Sequence, residues 1–321
     1  MCTISPAMSP SFLIVGATGN TGRGVVEILS DTIQASSAFS KHRIIAQTRS
    51  ATSATAQEFA KLSNVEVVEL NWSTITSQWL REHEVERVFI ASHNQPNQFA
   101  EESTFFYAAL KAGVQYAVRI STTASNVRPD CPTYYPRQHW AIEKMLESSA
   151  YDKLHWTSLQ PNVFLPLWLS PAAELIKKVQ NGARKQDTLR LMANKDKPVG
   201  AIDPMDVSVV AAKLLLENNT SKHNKAKYVL NGPESITGEQ IVAMVEERIG
   251  AKVDNVVFRD NSILDDMMAA VPESKHLIDT IKEGCDETFD SPLPTVPTSQ
   301  EILEFAAPKV TPASVLEQLL K

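Results

Sequence analysis

The chain has 321 residues, of which 43% are hydrophobic and 21% are charged, and its formal net charge is −6. This composition is typical of a globular protein with a sizeable core, and the absence of a long basic tract argues against nucleic-acid or anionic-membrane binding. The sequence contains neither an apolar run near the ~20 residues of a membrane helix nor a signal-peptide pattern at its start, so we expect a cytoplasmic protein.

The first predicted elements are a buried strand and a helix joined by a glycine-rich turn. Residues 12–15 are apolar, Gly16, Gly19 and Gly22 follow with G-x-x-G-x-x-G spacing, and apolar residues continue at helical spacing. Glycines let the backbone turn tightly and approach a pyrophosphate, which the N–H groups of the helix start can bind. The pattern therefore predicts a dinucleotide site.

The second predicted strand, residues 43–50, bears on which dinucleotide binds. A site for NAD usually has an acidic residue at the end of this strand for the ribose 2′-hydroxyl, whereas this chain has Arg49 there. A guanidinium can bind a 2′-phosphate with two hydrogen bonds. We therefore expect NADP(H) rather than NAD(H).

The chain then alternates short apolar runs with helical patterns, as βαβ units do. The runs are residues 65–70, 87–91, 116–120 and 155–160, and the helical patterns are residues 98–112 and 138–149. This alternation predicts an α/β Rossmann fold with a doubly wound parallel sheet.

Polar residues follow several of these strands. Ligands bind at the carboxyl edge of a parallel sheet, so we expect these residues to line one crevice with the glycine turn. They are Asn71, Trp72, Ser92, His93, Ser121 and Thr122.

Further along, residues 161–168 form an apolar segment interrupted by prolines, which is a candidate pocket wall. Residues 201–207 precede a predicted helix at 209–216, and a predicted strand at 227–231 precedes a helix at 237–249. The three cysteines are far apart and lack metal-ligand spacing, so we expect no metal site.

Taken in order, several segments resemble NmrA-like proteins, a branch of the atypical short-chain dehydrogenases. They are the Gly-Ala-Thr-Gly-Asn-Thr-Gly turn, Arg49, and residues 139–143, 159–164, 202–207 and 230–237. The resemblance implies an NADP(H)-binding Rossmann domain at residues 1–160 and a small C-terminal α/β substrate lobe at residues 161–321. A return of the chain to the Rossmann sheet around residues 200–232 is left open.

The resemblance also implies roles for individual residues. Gly16, Thr18, Gly19, Asn20, Thr21 and Gly22 would hold the pyrophosphate, and Arg49 with Ser50 the 2′-phosphate. Asn71 and Trp72 would contact the adenine, although the family often has Asp at the position of Asn71. Ser92, His93 and Asn94 would flank the nicotinamide ribose, and Pro161, Asn162 and Phe164 would cover the carboxamide.

The predicted catalytic helix departs from ordinary short-chain dehydrogenases, which use Tyr-x-x-x-Lys for proton transfer. Here the corresponding residues are Tyr135 and His139, with Pro136 between them. The pattern resembles the His-x-x-x-Glu of the quinone-reductase and triphenylmethane-reductase branch. We predict that His139 binds ribose or moves a proton near neutral pH, with Tyr135 as a second catalytic candidate and Glu143 as a residue that orients His139.

The leading interpretation is an NADPH-dependent reductase of a small electron-poor molecule, such as an imine, enone, quinone or aldehyde, in specialised (secondary) metabolism. Two alternatives remain: a non-redox isomerase or cyclase that retains the NADP fold, and an NADP-binding regulatory redox sensor. The expected partner is a small-molecule substrate, with neither nucleic acid nor membrane. Oligomeric state is left open.

Overall fold

The computed structural model describes residues 9–182, 186–262, 264–265, 274–290 and 296–321. The chain divides into two compact units. The first runs to Ser121 and also takes up Gln138–Gln160 and Val207–Tyr228. The second consists of Thr122–Arg137, Pro161–Asp206 and the described part of Val229–Lys321.

A seven-stranded sheet organises the first unit. Its strands are β1 (Ser11–Val15), β2 (Arg43–Thr48), β3 (Val65–Glu69), β4 (Val85–Ile90), β5 (Tyr116–Ile120), β6 (His155–Pro161) and β8 (Ala226–Leu230), in the order β3-β2-β1-β4-β5-β6-β8. The strands from β3 through β6 in this order pair in parallel. The order reverses direction after β1, which confirms the predicted doubly wound Rossmann-like fold.

Six helices accompany these strands. They are α1 (Gly22–Thr32), α2 (Ala54–Phe59), α3 (Ser77–Glu82), α4 (Gln98–Ala112), α5 (Tyr134–Glu147) and α7 (Pro204–Leu215). The first residues of α5 and α7 are counted with the second unit. Every residue of β1 is buried, as expected for a parallel strand covered on both faces. Helix α5 begins at Tyr134, four residues before the predicted start, because Pro136 is tolerated in a first turn.

The second unit has its own apolar core, built around α6 (Leu165–Gln180) and α8 (Gly238–Ile249). It also contains a parallel pair formed by β7 (Leu189–Leu191) and β9 (Val256–Phe258). Its remaining described helices are α9 (Lys275–Asp290), α10 (Gln300–Ala306) and α11 (Pro312–Leu320). A capping box between Thr237 and Gln240 starts α8.

Residues 161–168, the candidate pocket wall, lead from β6 into helix α6, and their role as a pocket wall stays a prediction. Pro166 lies in the first turn of α6, where a missing N–H costs little. Pro171 lies inside the helix and removes the N–H that would bond the carbonyl of Leu167. The hydroxyl of Ser170 donates to that carbonyl at 3.1 Å, so the helix can continue through the proline.

Candidate functional site

The glycine turn after β1 is held by a side chain from the neighbouring strand. Gly16 has φ +75°, and its N–H donates to Oε1 of Gln47 at 2.9 Å. The N–H of Ala17 donates to the Gln47 carbonyl, and the Gln47 amide donates to the carbonyl of Leu70 at 2.7 Å. The buried side chain of Gln47 therefore fixes the turn, a role that the sequence did not reveal.

The turn has no room for a side chain at Gly16 or Gly22. A Cβ on Gly22 would lie 2.1 Å from the carbonyl oxygen of Gly16, and a Cβ on Gly16 would lie 2.8 Å from the oxygen of Ala91. Gly19 and Asn20 are exposed at the tip. Within the described part of the chain, the Thr21 hydroxyl does not cap α1. The backbone N–H groups at the start of α1 therefore fit an approaching pyrophosphate.

The end of β2 lies next to this turn. The hydroxyls of Thr18 and Thr48 are 3.2 Å apart, and Ser50 donates its N–H to Thr48. Arg49 is exposed, and its side chain has no hydrogen bond or ion pair with any described residue. This available guanidinium fits the predicted 2′-phosphate, a contact that stays a prediction.

The residues after β3 and β4 differ in how accessible they are. Asn71 is exposed, whereas the Trp72 ring is buried in the core with its centroid 6.1 Å from that of Phe105. His93 lies 2.9 Å from Glu101 and accepts an N–H on Nδ1. Asn94 is exposed beside it. Their predicted contacts with adenine and the nicotinamide ribose stay predictions.

Arg119, the fourth of the five residues of β5, is the centre of a buried polar network. Its side chain is fully buried. Nε donates to Glu102 at 2.7 Å, and Nη1 to Ser158 at 3.0 Å. Nη2 lies 2.8 Å from Nδ1 of His139. One guanidinium thus connects α4, β5, α5 and β6. We name these residues, together with Ser92, Gln98, Glu143 and Gln160, the Arg119 network.

Helix α4 supplies the first carboxylate of the network. Ser92, directly after β4, donates to Oε2 of Glu102 at 2.8 Å. The amide of Gln98 donates to Ser92 at 3.0 Å and lies 3.3 Å from the same carboxylate. Oε1 of Gln98 is buried and has no hydrogen-bond partner among the described residues. The Ser121 hydroxyl, which follows β5, is likewise buried and has no hydrogen-bond partner among the described residues.

The second carboxylate is Glu143 on α5. It accepts from the Ser158 hydroxyl at 2.7 Å and from the Gln160 amide at 3.3 Å. It also lies 3.5 Å from both Arg119 and Lys227. These contacts make Glu143 a charge partner of Arg119 and Lys227. We predicted that Glu143 orients His139, but the residue that bonds Nδ1 of His139 is Arg119.

The buried ring of His139 is held in its neutral form. Burial disfavours the imidazolium, and the Arg119 guanidinium repels it, so the pKa of His139 lies well below its ordinary value. This lowered pKa argues against the predicted proton transfer by His139 near neutral pH, which stays a prediction. Its predicted contact with the nicotinamide ribose stays a prediction.

The other predicted residues belong to the second unit. Tyr135 and Thr122 form a side-chain hydrogen bond, and burial raises the pKa of the Tyr135 phenol. The amide of Asn162 donates to Asn231 at 2.9 Å, and Pro161 is buried, whereas Phe164 is half-buried. The side-chain amide nitrogen of Asn162 is therefore already hydrogen-bonded to another residue of the second unit. The contacts predicted for these residues stay predictions.

Sequence reasoning missed the partners of His139. A signal was present, because Arg119 is a charged residue within a run expected to be buried, and buried arginines are almost always paired. The sequence could not say which carboxylates pair with it.

In the described part of the chain, no helix is long and apolar enough to cross a membrane, and no three His, Cys, Asp or Glu side chains group as metal ligands.

Comparison with known proteins identifies similar sequences and similar solved structures. A (4-alkanoyl-5-oxo-2,5-dihydrofuran-3-yl)methyl phosphate reductase of Streptomyces griseus is 27% identical over 238 residues, which are 74% of this chain and 73% of that protein. An NADPH-dependent quinone oxidoreductase of Escherichia coli, solved with NADPH, has a TM-score of 0.69 at 20% identity, over 97% of this chain and 100% of that one.

NmrA, a negative transcriptional regulator solved with NADP, has a TM-score of 0.67 at 14% identity, over 98% of this chain and 95% of that one. At these identities the two solved structures show a shared fold. The family model described as NmrA-like matches residues 8–293, which is most of the chain. The glycine turn, the doubly wound sheet and this match together establish that the chain belongs to the NmrA-like family.

Proposed function

We propose that the protein is an NADPH-dependent reductase of a small electron-poor organic molecule. The observation that carries the proposal is the tight glycine turn, held by Gln47, next to the exposed and unengaged Arg49. A reductase among the relatives, at 27% identity over 74% of this chain, supports it. Bound NADPH would supply the hydride.

In this proposal the residues of the chain bind and orient. The backbone of the turn from Gly16 to Gly22 holds the pyrophosphate, and Arg49 with Ser50 holds the 2′-phosphate. At the ends of β4 and β5, the Ser92 hydroxyl is already bonded to Glu102, whereas the buried hydroxyl of Ser121 is available to a ligand. Orientation of this kind can lower a barrier substantially without a strong acid.

The substrate class follows from the missing Tyr-x-x-x-Lys pair. A buried neutral histidine is a poor acid, so the acceptor should need little protonation before it takes a hydride. Quinones, enones and imines suit this better than simple aldehydes. We therefore rank aldehydes last among the candidate acceptors.

The test is an assay of purified protein with NADPH and a panel of quinones, enones, imines and aldehydes. Absorbance at 340 nm measures NADPH oxidation, and mass spectrometry measures the product. Stoichiometric oxidation with a product two hydrogens heavier supports the reductase. A product of unchanged mass without NADPH consumption would support the isomerase or cyclase, and firm NADP binding without turnover the redox sensor.

The cofactor preference is tested separately with Arg49→Ala. A hydrogen-bonded charge contributes about 1.5–3 kcal/mol, so we expect the Kd for NADPH to rise about 10- to 100-fold and the Kd for NADH to stay unchanged. Isothermal titration calorimetry measures both constants. The matched control is Arg81→Ala, which removes an exposed arginine bonded to the carbonyl of Lys111. Equal weakening of NADPH and NADH would refute the 2′-phosphate assignment.

A further inference from the structure

The geometry around Arg119 determines which nitrogen of His139 carries a proton. A guanidinium has donors and no acceptor. Because Nη2 of Arg119 lies 2.8 Å from Nδ1 of His139, Nδ1 must accept. The amide nitrogen of Gln98 lies farther away, 3.4 Å from Nδ1 and 3.5 Å from Nε2, and already donates to Ser92. A neutral imidazole with an accepting Nδ1 carries its proton on Nε2.

The charges around the ring explain why an arginine is needed there. Glu102 on α4 and Glu143 on α5 are both buried in the Arg119 network, and Lys227 on β8 lies 3.5 Å from Glu143. Two buried carboxylates alone would favour an imidazolium. Arg119 lies between them, at 2.7 Å from Glu102 and 3.5 Å from Glu143, and donates to the ring as well.

The geometry leaves little freedom for another arrangement. All three guanidinium nitrogens are engaged, by Glu102, Ser158 and His139. Rotating the guanidinium to release His139 would break at least one of the two other bonds within a buried site. The ring of His139 is itself almost fully buried, at 2% exposure, so water cannot readily replace the lost donor.

We propose that Arg119 is a positioning residue that holds His139 as a neutral imidazole protonated on Nε2. The positioning itself follows from the geometry, and only the role of the ring in catalysis rests on the proposed function. In the reductase, the ring would then donate a hydrogen bond from Nε2 and would not supply the proton of the reaction. Arg119 is not among the site residues predicted from the sequence.

The test is nuclear magnetic resonance of the full-length protein labelled with 15N-histidine. Long-range 1H–15N spectra distinguish a protonated from an unprotonated ring nitrogen, and His139→Gln assigns the signals. In the wild-type protein we expect an unprotonated Nδ1, a protonated Nε2, and no titration of this ring between about pH 5 and 8. A proton on Nδ1, or titration near the ordinary histidine pKa of about 6.5, would overturn the proposal.

Two variants test whether Arg119 is the cause. Arg119→Met combined with Glu102→Gln removes one positive and one negative charge, so the buried charge stays balanced. We expect the pKa of His139 to rise by at least about one unit and both tautomers to appear. Arg119→Lys is the second variant. It keeps the positive charge near the ring, so we expect the pKa of His139 to stay low, but one ammonium cannot replace three guanidinium bonds, so both tautomers should appear.

The matched control is Arg87→Met. Arg87 is also a buried strand arginine, but its Nη1 donates to the carbonyls of Leu215 and Glu217. This variant should leave the His139 signals in place. Unchanged His139 signals in the folded Arg119 variants would refute the positioning role. If the tautomer is as expected but no acceptor is reduced, the positioning stands and the reductase falls.

Discussion

Arg119→Met is expected to lower the free energy of unfolding by about 3–5 kcal/mol, the cost of leaving a buried charge without its partner. Glu102 would keep its bonds from Ser92 and Gln98 but lose its charge partner, whereas Glu143 would still lie 3.5 Å from Lys227. Urea denaturation at neutral pH measures the loss. Such a loss is a large fraction of the stability of a typical domain.

The double variant with Glu102→Gln separates an uncompensated charge from lost packing. We expect the double variant to lose clearly less stability than the sum of the two single variants, because neither charge is then left alone. Arg87→Met is the control, since Arg87 donates to two carbonyl groups and lies 4.5 Å from the centre of the Phe39 ring. A hydrogen bond from a charged group is worth about 1.5–3 kcal/mol. Strict additivity of the two single losses would contradict this account of the Arg119 network.

Gly22→Ala is expected to raise the Kd for NADPH by about 10- to 100-fold. The added Cβ would lie 2.1 Å from the Gly16 oxygen and 2.9 Å from Cα of Ala17, both in the backbone of the same turn. The turn must therefore open, at a cost of about 1–3 kcal/mol for overpacking, and tenfold in affinity corresponds to about 1.4 kcal/mol. Fluorescence or calorimetric titration with NADPH measures the effect.

Gly113→Ala is the matched control for this variant. Gly113 ends α4 with φ +85°, and a Cβ there would meet no atom within 4 Å. The substitution strains a left-handed residue and lowers stability modestly, but it should leave NADPH affinity unchanged. If both glycine variants weakened NADPH equally, the effect would come from lost stability and the turn would not be the phosphate site.

The fold and the glycine turn could be predicted because their signals are local. Apolar runs mark β1 to β6, and Gly16, Gly19 and Gly22 are spaced three residues apart within one turn. The sequence analysis does not predict helix α6 across its prolines, although Pro166 sits in a first turn and Ser170 replaces the bond that Pro171 cannot make. Short-range patterns alone do not reveal that kind of compensation.

The amino-acid sequence alone predicted the parallel Rossmann sheet, the family and the candidate cofactor residues, because hydrophobic periodicity and glycine spacing act over a few residues. Tertiary structure alone decided the state of His139. Arg119 is 17 residues from Glu102, 20 from His139 and 39 from Ser158 along the chain. Only parallel pairing of β4, β5 and β6 brings these groups together, and their burial then makes the charges and the tautomer interdependent.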